Sequence, residues 1–202
     1  LCKWFAKKIG FNDSSGGIAA SGGTLSNLNA LIAARNNAGL GSNPNSVLLI
    51  SEDAHSSFIK CIRIMGLDAA NLVRIKTDNQ GRMDINNLRK SLNKCLIENK
   101  KIFAIVATLG TTVRGAIDPI KEISEICKER NIWLHIDGSI GGIFALSSIQ
   151  IEGLNNINQA NSITINPQKI IGITKTSSLL LVANMNTLQK TFSTGLPYIS
   201  SK

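Results

Sequence analysis

The sequence predicts an α/β layered domain with a mostly parallel sheet flanked by helices. Two observations carry this prediction. Continuous apolar runs of strand length recur along the chain, as strands buried on both faces require. Segments of helical period stand between them, at a rhythm that suits strand–helix–strand units. At 202 residues the chain suits one domain with a sizeable core.

The elements follow in order. Leu1 to Lys8 alternates charged and apolar residues and reads as part of a helix. Ser21-Gly22-Gly23-Thr24-Leu25-Ser26-Asn27 is a turn that opens a helix carrying Leu28, Leu31 and Ile32. Gly39 to Asn45 is rich in turn-formers and predicts a loop. Val47-Leu48-Leu49-Ile50 is a buried strand, and His55 to Leu67 places Phe58, Ile59, Ile62 and Met65 on one helical face. Leu72-Val73-Arg74-Ile75 is a short strand, closed by the turn Asp78-Asn79-Gln80-Gly81. Asp84 caps a helix whose stripe is Ile85, Leu88, Leu92 and Leu96. Ile102 to Ala107 is the clearest buried strand. Pro119 starts a helix with Ile120, Ile123 and Ile126 inside, and residues 132–136 form the next strand. Ser162 to Ile165 and Leu179 to Val182 complete the set.

Composition narrows the function. A net charge of +9 raises the question of nucleic acid, but the basic residues are spread along the chain, and at 4% aromatic content stacking platforms are scarce. We therefore expect no nucleic-acid partner, only a basic surface that attracts anionic small molecules. No apolar run reaches the length of a membrane span, so no membrane association is expected. Cys2, Cys61, Cys95 and Cys127 are widely spaced and read as buried thiols of a reducing, cytoplasmic compartment. The chain starts at Leu1 without a signal peptide and is expected to be a fragment of a longer protein.

Ligands of open α/β sheets bind at the carboxyl ends of strands, and several polar groups fall there. The glycines, hydroxyl and helix start at 21–26 offer an anion cradle, though such a turn also serves as an ordinary N-cap. It is neither a dinucleotide fingerprint nor a Walker loop, which weighs against a nucleotide-binding module. Asp137 ends the strand 132–136 and could face a pyridine nitrogen or simply cap a loop. His135 and Asp137 could pair on a metal, but no third ligand is evident and none is expected. His55 could start a helix or stack on a cofactor ring. Thr108, Gly110, Thr111 and Thr112 are turn-formers or donors into the same crevice. Lys169 follows Asn166-Pro167-Gln168 and precedes Ile170-Ile171, which would desolvate its amine and favour the nucleophilic form. A lysine able to form a Schiff base and an aspartate at a strand end are the groups a pyridoxal phosphate site needs.

Five stretches, in order, resemble the group II pyridoxal-dependent decarboxylases. They are Ser21 to Asn27; His55; Leu109-Gly110-Thr111-Thr112 with Gly115, Asp118 and Pro119; residues 132–137; and Asn166-Pro167-Gln168-Lys169. The resemblance spans essentially the whole chain. It implies the aspartate aminotransferase-like, fold type I large domain over residues 1–202, with an amino-terminal arm and a small carboxyl-terminal domain missing. It implies that Lys169 holds pyridoxal 5'-phosphate as an internal aldimine, that Asp137 pairs with the ring nitrogen, and that His55 stacks on the ring. It places Gly22, Gly23 and Thr24 at the phosphate, Thr111 or a neighbouring threonine near the ring, and Ser139 and Gln168 beside the cofactor.

The chain departs from the family pattern in places. Gln168 stands where a histidine is usual, Ile170 where a large aromatic is usual, and Gly138 and Ser139 where two alanine-like residues are usual. The stretch Thr174 to Ser177 is more polar than the usual pattern, and Tyr198 lies upstream of the family's catalytic loop. The implied activity is decarboxylation of an L-amino acid to an amine and carbon dioxide, by a homodimer when full length. The alternatives are another fold type I enzyme, such as an aminotransferase or a carbon–sulfur or carbon–carbon lyase, or a non-catalytic fragment of the fold.

Overall fold

A computed structural model describes residues 1–147, 151, 153–175 and 177–193. Thr176 and Tyr198 lie outside the described residues. The elements are α1 (Cys2–Lys8), β1 (Gly16–Ala20), α2 (Gly23–Asn37), β2 (Ser46–Ser51), α3 (Ser57–Ile64), β3 (Leu72–Ile75), α4 (Ile85–Ile97) and β4 (Lys101–Thr108). They continue with α5 (Ile120–Arg130), β5 (Trp133–Gly138), β6 (Ser162–Ile165), α6 (Pro167–Ile170), β7 (Ser178–Val182) and α7 (Met185–Phe192). Short 3-10 turns cover Ala69–Asn71, Gly141–Leu146 and Ile157–Gln159.

The seven strands form one sheet in the order β1-β7-β6-β5-β4-β2-β3. Strand β7 runs antiparallel to both neighbours, and every other pairing is parallel. Helices cover both faces. On one face α1, α4 and α5 pack over Val47, Leu49, Ile105, Ala107, Leu134, Ile136, Ile163, Ile165, Leu179 and Leu181. On the other face α2 and α3 cover Leu48, Ile50, Ala104, Val106 and Trp133, while α2 and α7 cover Leu180 and Val182. Every predicted strand is present: four are apolar runs, while Ser162–Ile165 alternates serine and threonine with isoleucine and Leu72–Ile75 exposes Arg74.

Strand β1 was not expected from its sequence, and α7 lay beyond the last predicted strand. Glycines are poor strand formers, so Gly16-Gly17 gives no strand signal. Here Gly17 lies against the Leu180 carbonyl, where a side chain would collide, so the glycine permits close strand approach. The Asp84 side chain accepts from the Asn87 amide at 2.7 Å, as a helix cap does. The α4 stripe differs from expectation by one residue: Leu88, Leu92 and Cys95 are buried, whereas Leu96 is exposed. Cys61, Cys95 and Cys127 are buried free thiols, but Cys2 is only half-buried.

Candidate active site

The carboxyl ends of β4, β5 and β6 meet the amino terminus of α2 around a cavity of about 570 Å³. That volume is in the range of cofactor-sized pockets. Gly22, Gly23, Thr24, His55, Asp137, Ser139, Gln168 and Lys169 all line it. Chain segments separated by more than a hundred residues thus converge at one crevice.

Helix α2 begins at Gly23, so the amides of Gly23 and Thr24 have no intrahelical acceptor and point toward the cavity end of the helix. A Cβ built on Gly23 would lie 2.7 Å from both Asn166 Nδ2 and Ser139 Oγ. The absent side chain therefore leaves a gap rimmed by an amide, a hydroxyl and a helix start, the chemistry that suits an anion. Asn166 is fixed from behind. Ser178 Oγ donates to Asn166 Oδ1 at 2.6 Å, and Ser26 Oγ lies 2.7 Å from Ser178 Oγ. The Ser178 proton is spent on Asn166, so Ser26 is the donor of that pair. This leaves the Asn166 amide Nδ2 available on the cavity side.

Asp137 is buried on β5 and in register with Thr108 of β4 and Thr164 of β6. Its Oδ2 accepts from Asn27 Nδ2 at 3.1 Å and its Oδ1 accepts from the Ser139 amide at 3.1 Å. His135 is wholly buried with both ring nitrogens engaged, Nδ1 by Ser162 Oγ at 2.8 Å and Nε2 by Asn27 Oδ1 at 3.0 Å. Burial holds its imidazole well below its ordinary pKa, against the pull of the Asp137 charge. With both nitrogens occupied His135 is no metal ligand, and no cluster of three potential ligands occurs among the described residues.

His55 is a helix-start residue and a cavity residue at once. Its Nδ1 accepts from the Ser57 amide at 3.2 Å, which holds the ring at the start of α3. Lys169 sits on the single turn α6, and Pro167 at the first helical position needs no N–H partner. Gln168 Oε1 accepts from the Ser177 amide at 2.7 Å and ties this turn to the approach to β7. One expectation about Lys169 fails: the side chain is exposed, and Ile170 and Ile171 are exposed beside it, so they do not desolvate the amine.

Thr111 also departs from expectation. It is buried, its hydroxyl accepts from the Ala116 amide at 3.1 Å, and Gly110 and Thr112 line the cavity in its place. The reason is the tight turn after β4, which consumes the Thr111 oxygen internally. Thr108 lines the cavity too, and its buried hydroxyl has no partner within the described structure. Asp118 holds that strand end: its carboxylate accepts from the Met83 amide at 2.6 Å and the Thr108 amide at 2.7 Å. Burial pushes Asp118 up to about 6, against the effect of those two donors.

Asn27, Asn166, Ser26 and Ser178 were not singled out as functional from sequence. For Asn166 a faint signal is present: with Ser162 and Thr164 it alternates with Ile163 and Ile165 along and just past a strand buried on both faces. A polar residue in a buried strand needs a partner, and that need points to a site.

The cavity fits pyridoxal phosphate. It has an anion cradle at a helix start, a buried carboxylate with two neutral N–H donors, an unpartnered hydroxyl and a lysine on one rim. Comparison with known proteins agrees. The pyridoxal-dependent decarboxylase conserved domain matches residues 1–202. An aromatic-L-amino-acid decarboxylase of Bacillus atrophaeus is 33% identical over 189 residues, covering 94% of this chain and 39% of that protein. The L-aspartate decarboxylase dtxS4 of Metarhizium robertsii is 34% identical over 188 residues, covering 90% of this chain and 38% of that one. The crystal structure of mouse CSAD in apo form superposes with a TM-score of 0.91 at 29% identity, over 100% of this chain and 44% of that one. The chain thus spans about two-fifths of the length of these relatives. The fold is the expected fold type I large-domain architecture. The domain match over the whole chain shows that this chain belongs to the pyridoxal-dependent decarboxylase family.

Proposed function

We propose that residues 1–202 are the cofactor-binding large domain of an enzyme that decarboxylates an L-amino acid to an amine and carbon dioxide. The observation that carries the reading is the convergence of Lys169, Asp137 and the Gly22-Gly23-Thr24 cradle on one cavity. When bound, pyridoxal phosphate supplies an electron sink for the pair left on the α-carbon as carbon dioxide departs. The chain's own residues set up that chemistry. Gly23, Thr24 and Asn166 would donate to the phosphate, and the Thr108 hydroxyl would offer the cofactor a hydrogen-bond partner. Asp137 offers its carboxylate to the ring nitrogen and favours the proton there. His55, held by Ser57, would stack on the ring and keep water from one face. Lys169 would supply the amine that attaches the cofactor, and its exposed position would leave it free to move. The relatives' names differ in substrate, so the amino acid is left open. The complete protein is proposed to act as a homodimer.

Reduction with borohydride after mixing with pyridoxal phosphate tests the attachment. Peptide mapping should find the pyridoxyl group on Lys169. Label on Lys175 or Lys190 in its place would reject the assignment. The complete protein, given a panel of L-amino acids including aspartate, glutamate, aromatic residues, histidine and 2,4-diaminobutyrate, should release carbon dioxide. Keto acid without carbon dioxide would favour an aminotransferase. Neither product, from protein loaded with cofactor, would favour another lyase.

A further inference from the structure

Behind Asp137 lies a buried row of four side chains with no evident reason to be polar. Trp133 Nε1 donates to Ser162 Oγ at 2.8 Å. Ser162 Oγ contacts His135 Nδ1 at 2.8 Å, His135 Nε2 contacts Asn27 Oδ1 at 3.0 Å, and Asn27 Nδ2 donates to Asp137 Oδ2 at 3.1 Å. The Asp137 end, with a neutral imidazole, sets the direction of the bonds that lead to it. An indole N–H only donates, and a carboxylate only accepts. Ser162 accepts a hydrogen bond from Trp133 and keeps its own hydrogen, which it donates to His135 Nδ1 when that nitrogen is bare. The imidazole must then carry its hydrogen on Nε2 and give it to Asn27. Asn27 accepts on Oδ1, which turns Nδ2 toward Asp137. With a neutral imidazole, this arrangement satisfies all five groups.

We propose that Trp133, Ser162, His135 and Asn27 form a one-way hydrogen-bond relay that orients the Asp137 carboxylate for the cofactor's ring nitrogen. These four are positioning residues, and the inference rests on the reading of this cavity as a pyridoxal phosphate site. The relay has a second consequence. Each group that hydrogen-bonds Asp137 among the described residues, Asn27 Nδ2 and the Ser139 amide, is neutral. His135, the titratable side chain on this row, is kept neutral by its burial. No cation in the row competes with the ring nitrogen for the carboxylate's charge. Asn27 is the hinge of the device. It lies one residue after Ser26, which starts the separate chain to Ser178 and Asn166. Adjacent residues of α2 thus orient the groups proposed for the ring and for the phosphate.

The test uses the complete polypeptide labelled with 15N-histidine, with the His135 resonances assigned by their loss in His135→Gln. Without cofactor, the wild type should show His135 protonated on Nε2 and bare on Nδ1. Trp133→Phe removes the N–H and keeps the core filled, which frees the Ser162 hydroxyl to turn. That variant should show mixed tautomers, a shifted absorption band of the bound cofactor, and a cofactor affinity lower by roughly 2- to 10-fold. Asn27→Asp sets a second acceptor against Asp137 and should lower the affinity by at least about tenfold. A wild-type His135 protonated on Nδ1, or on both nitrogens, would overturn the relay. Unchanged affinity and absorption in both variants would overturn its positioning role. Should Asn27→Asp not fold, Trp133→Phe decides alone by the same criteria. If the wild type takes up no pyridoxal phosphate, the cofactor reading falls and the relay loses its target. A wrong tautomer in a protein that does bind the cofactor removes the relay alone.

Discussion

Alternate residues of the same strands build two unlike faces of the sheet. Under α1, α4 and α5, strands β5, β6 and β7 present Leu134, Ile136, Ile163, Ile165, Leu179 and Leu181. Under α2 the same strands present His135, Asp137, Ser162, Thr164 and Ser178, with Asn166 just past the end of β6. This polar seam separates the two apolar clusters on that face. Both faces are equally dry, so the contrast is one of chemistry and not of exposure. Burying so many polar groups is costly unless each finds a partner. Here Ser26 and Asn27 of α2 partner Ser178, His135 and Asp137, while the Thr164 hydroxyl has no partner in the described structure. The apolar face holds the domain together, and the polar seam shapes its chemistry.

Truncation should separate the two roles most clearly. Ile136→Ala opens a cavity on the apolar face and should cost about 2–5 kcal/mol of unfolding free energy, measured by denaturant titration. The cofactor spectrum of the folded fraction should be unchanged. A large spectral change would mean that the apolar face also tunes the site. One position along, Asp137→Asn keeps the shape and removes the charge. A charge-assisted hydrogen bond contributes about 1.5–3 kcal/mol, so activity of the complete enzyme should fall by at least roughly an order of magnitude. Unchanged turnover would reduce Asp137 to a structural cap.

Acid should act on the two faces with opposite sign. The native His135 pKa lies below the 6.5 of a free imidazole, so the unfolded chain binds the proton first. Its contribution to stability is lost as pH falls below 6.5. Asp118, packed beside Met83 at the edge of the apolar face, behaves the other way. Its pKa rises from 3.8 to about 6 on folding, so the native state binds the proton first and gains stability as pH falls through that window. Urea midpoints between pH 7 and 4 should therefore show Asp118→Asn as more acid-sensitive than the wild type and His135→Gln as less so. Parallel curves for all three proteins would contradict both assignments.

The smallest effects should come from the two threonines that flank Asp137. Thr108 and Thr164 both carry buried hydroxyls without a partner in the described structure. Losing such a group costs little, so each change to valine should leave stability within about 1 kcal/mol of the wild type, or raise it. Their cofactor affinities should differ. Thr108 lines the cavity and Thr164 does not, so only Thr108→Val should bind pyridoxal phosphate more weakly by equilibrium titration. Equal losses would place both hydroxyls at the cofactor.

What the sequence determined by itself was the architecture and the cast of the site. Apolar runs such as residues 102–107 cross the core whatever their neighbours do, so the strands were legible from local pattern. Gly22, Gly23, Thr24, His55, Asp137 and Lys169, singled out through the family resemblance, all line one cavity. Only the tertiary structure decided the rest. Strand β1 exists because its glycines let it pair closely with β7, a contact more than 160 residues away. Thr111 was displaced by Thr112 because the turn after β4 takes its hydroxyl. Lys169 stayed exposed although two isoleucines follow it, because their side chains also point to solvent. The roles of Asn27, Ser162 and Asn166 arise where α2 crosses the ends of β5, β6 and β7. A hydrogen bond depends on distances of a few tenths of an ångström between groups distant in sequence, and no local pattern encodes that separation.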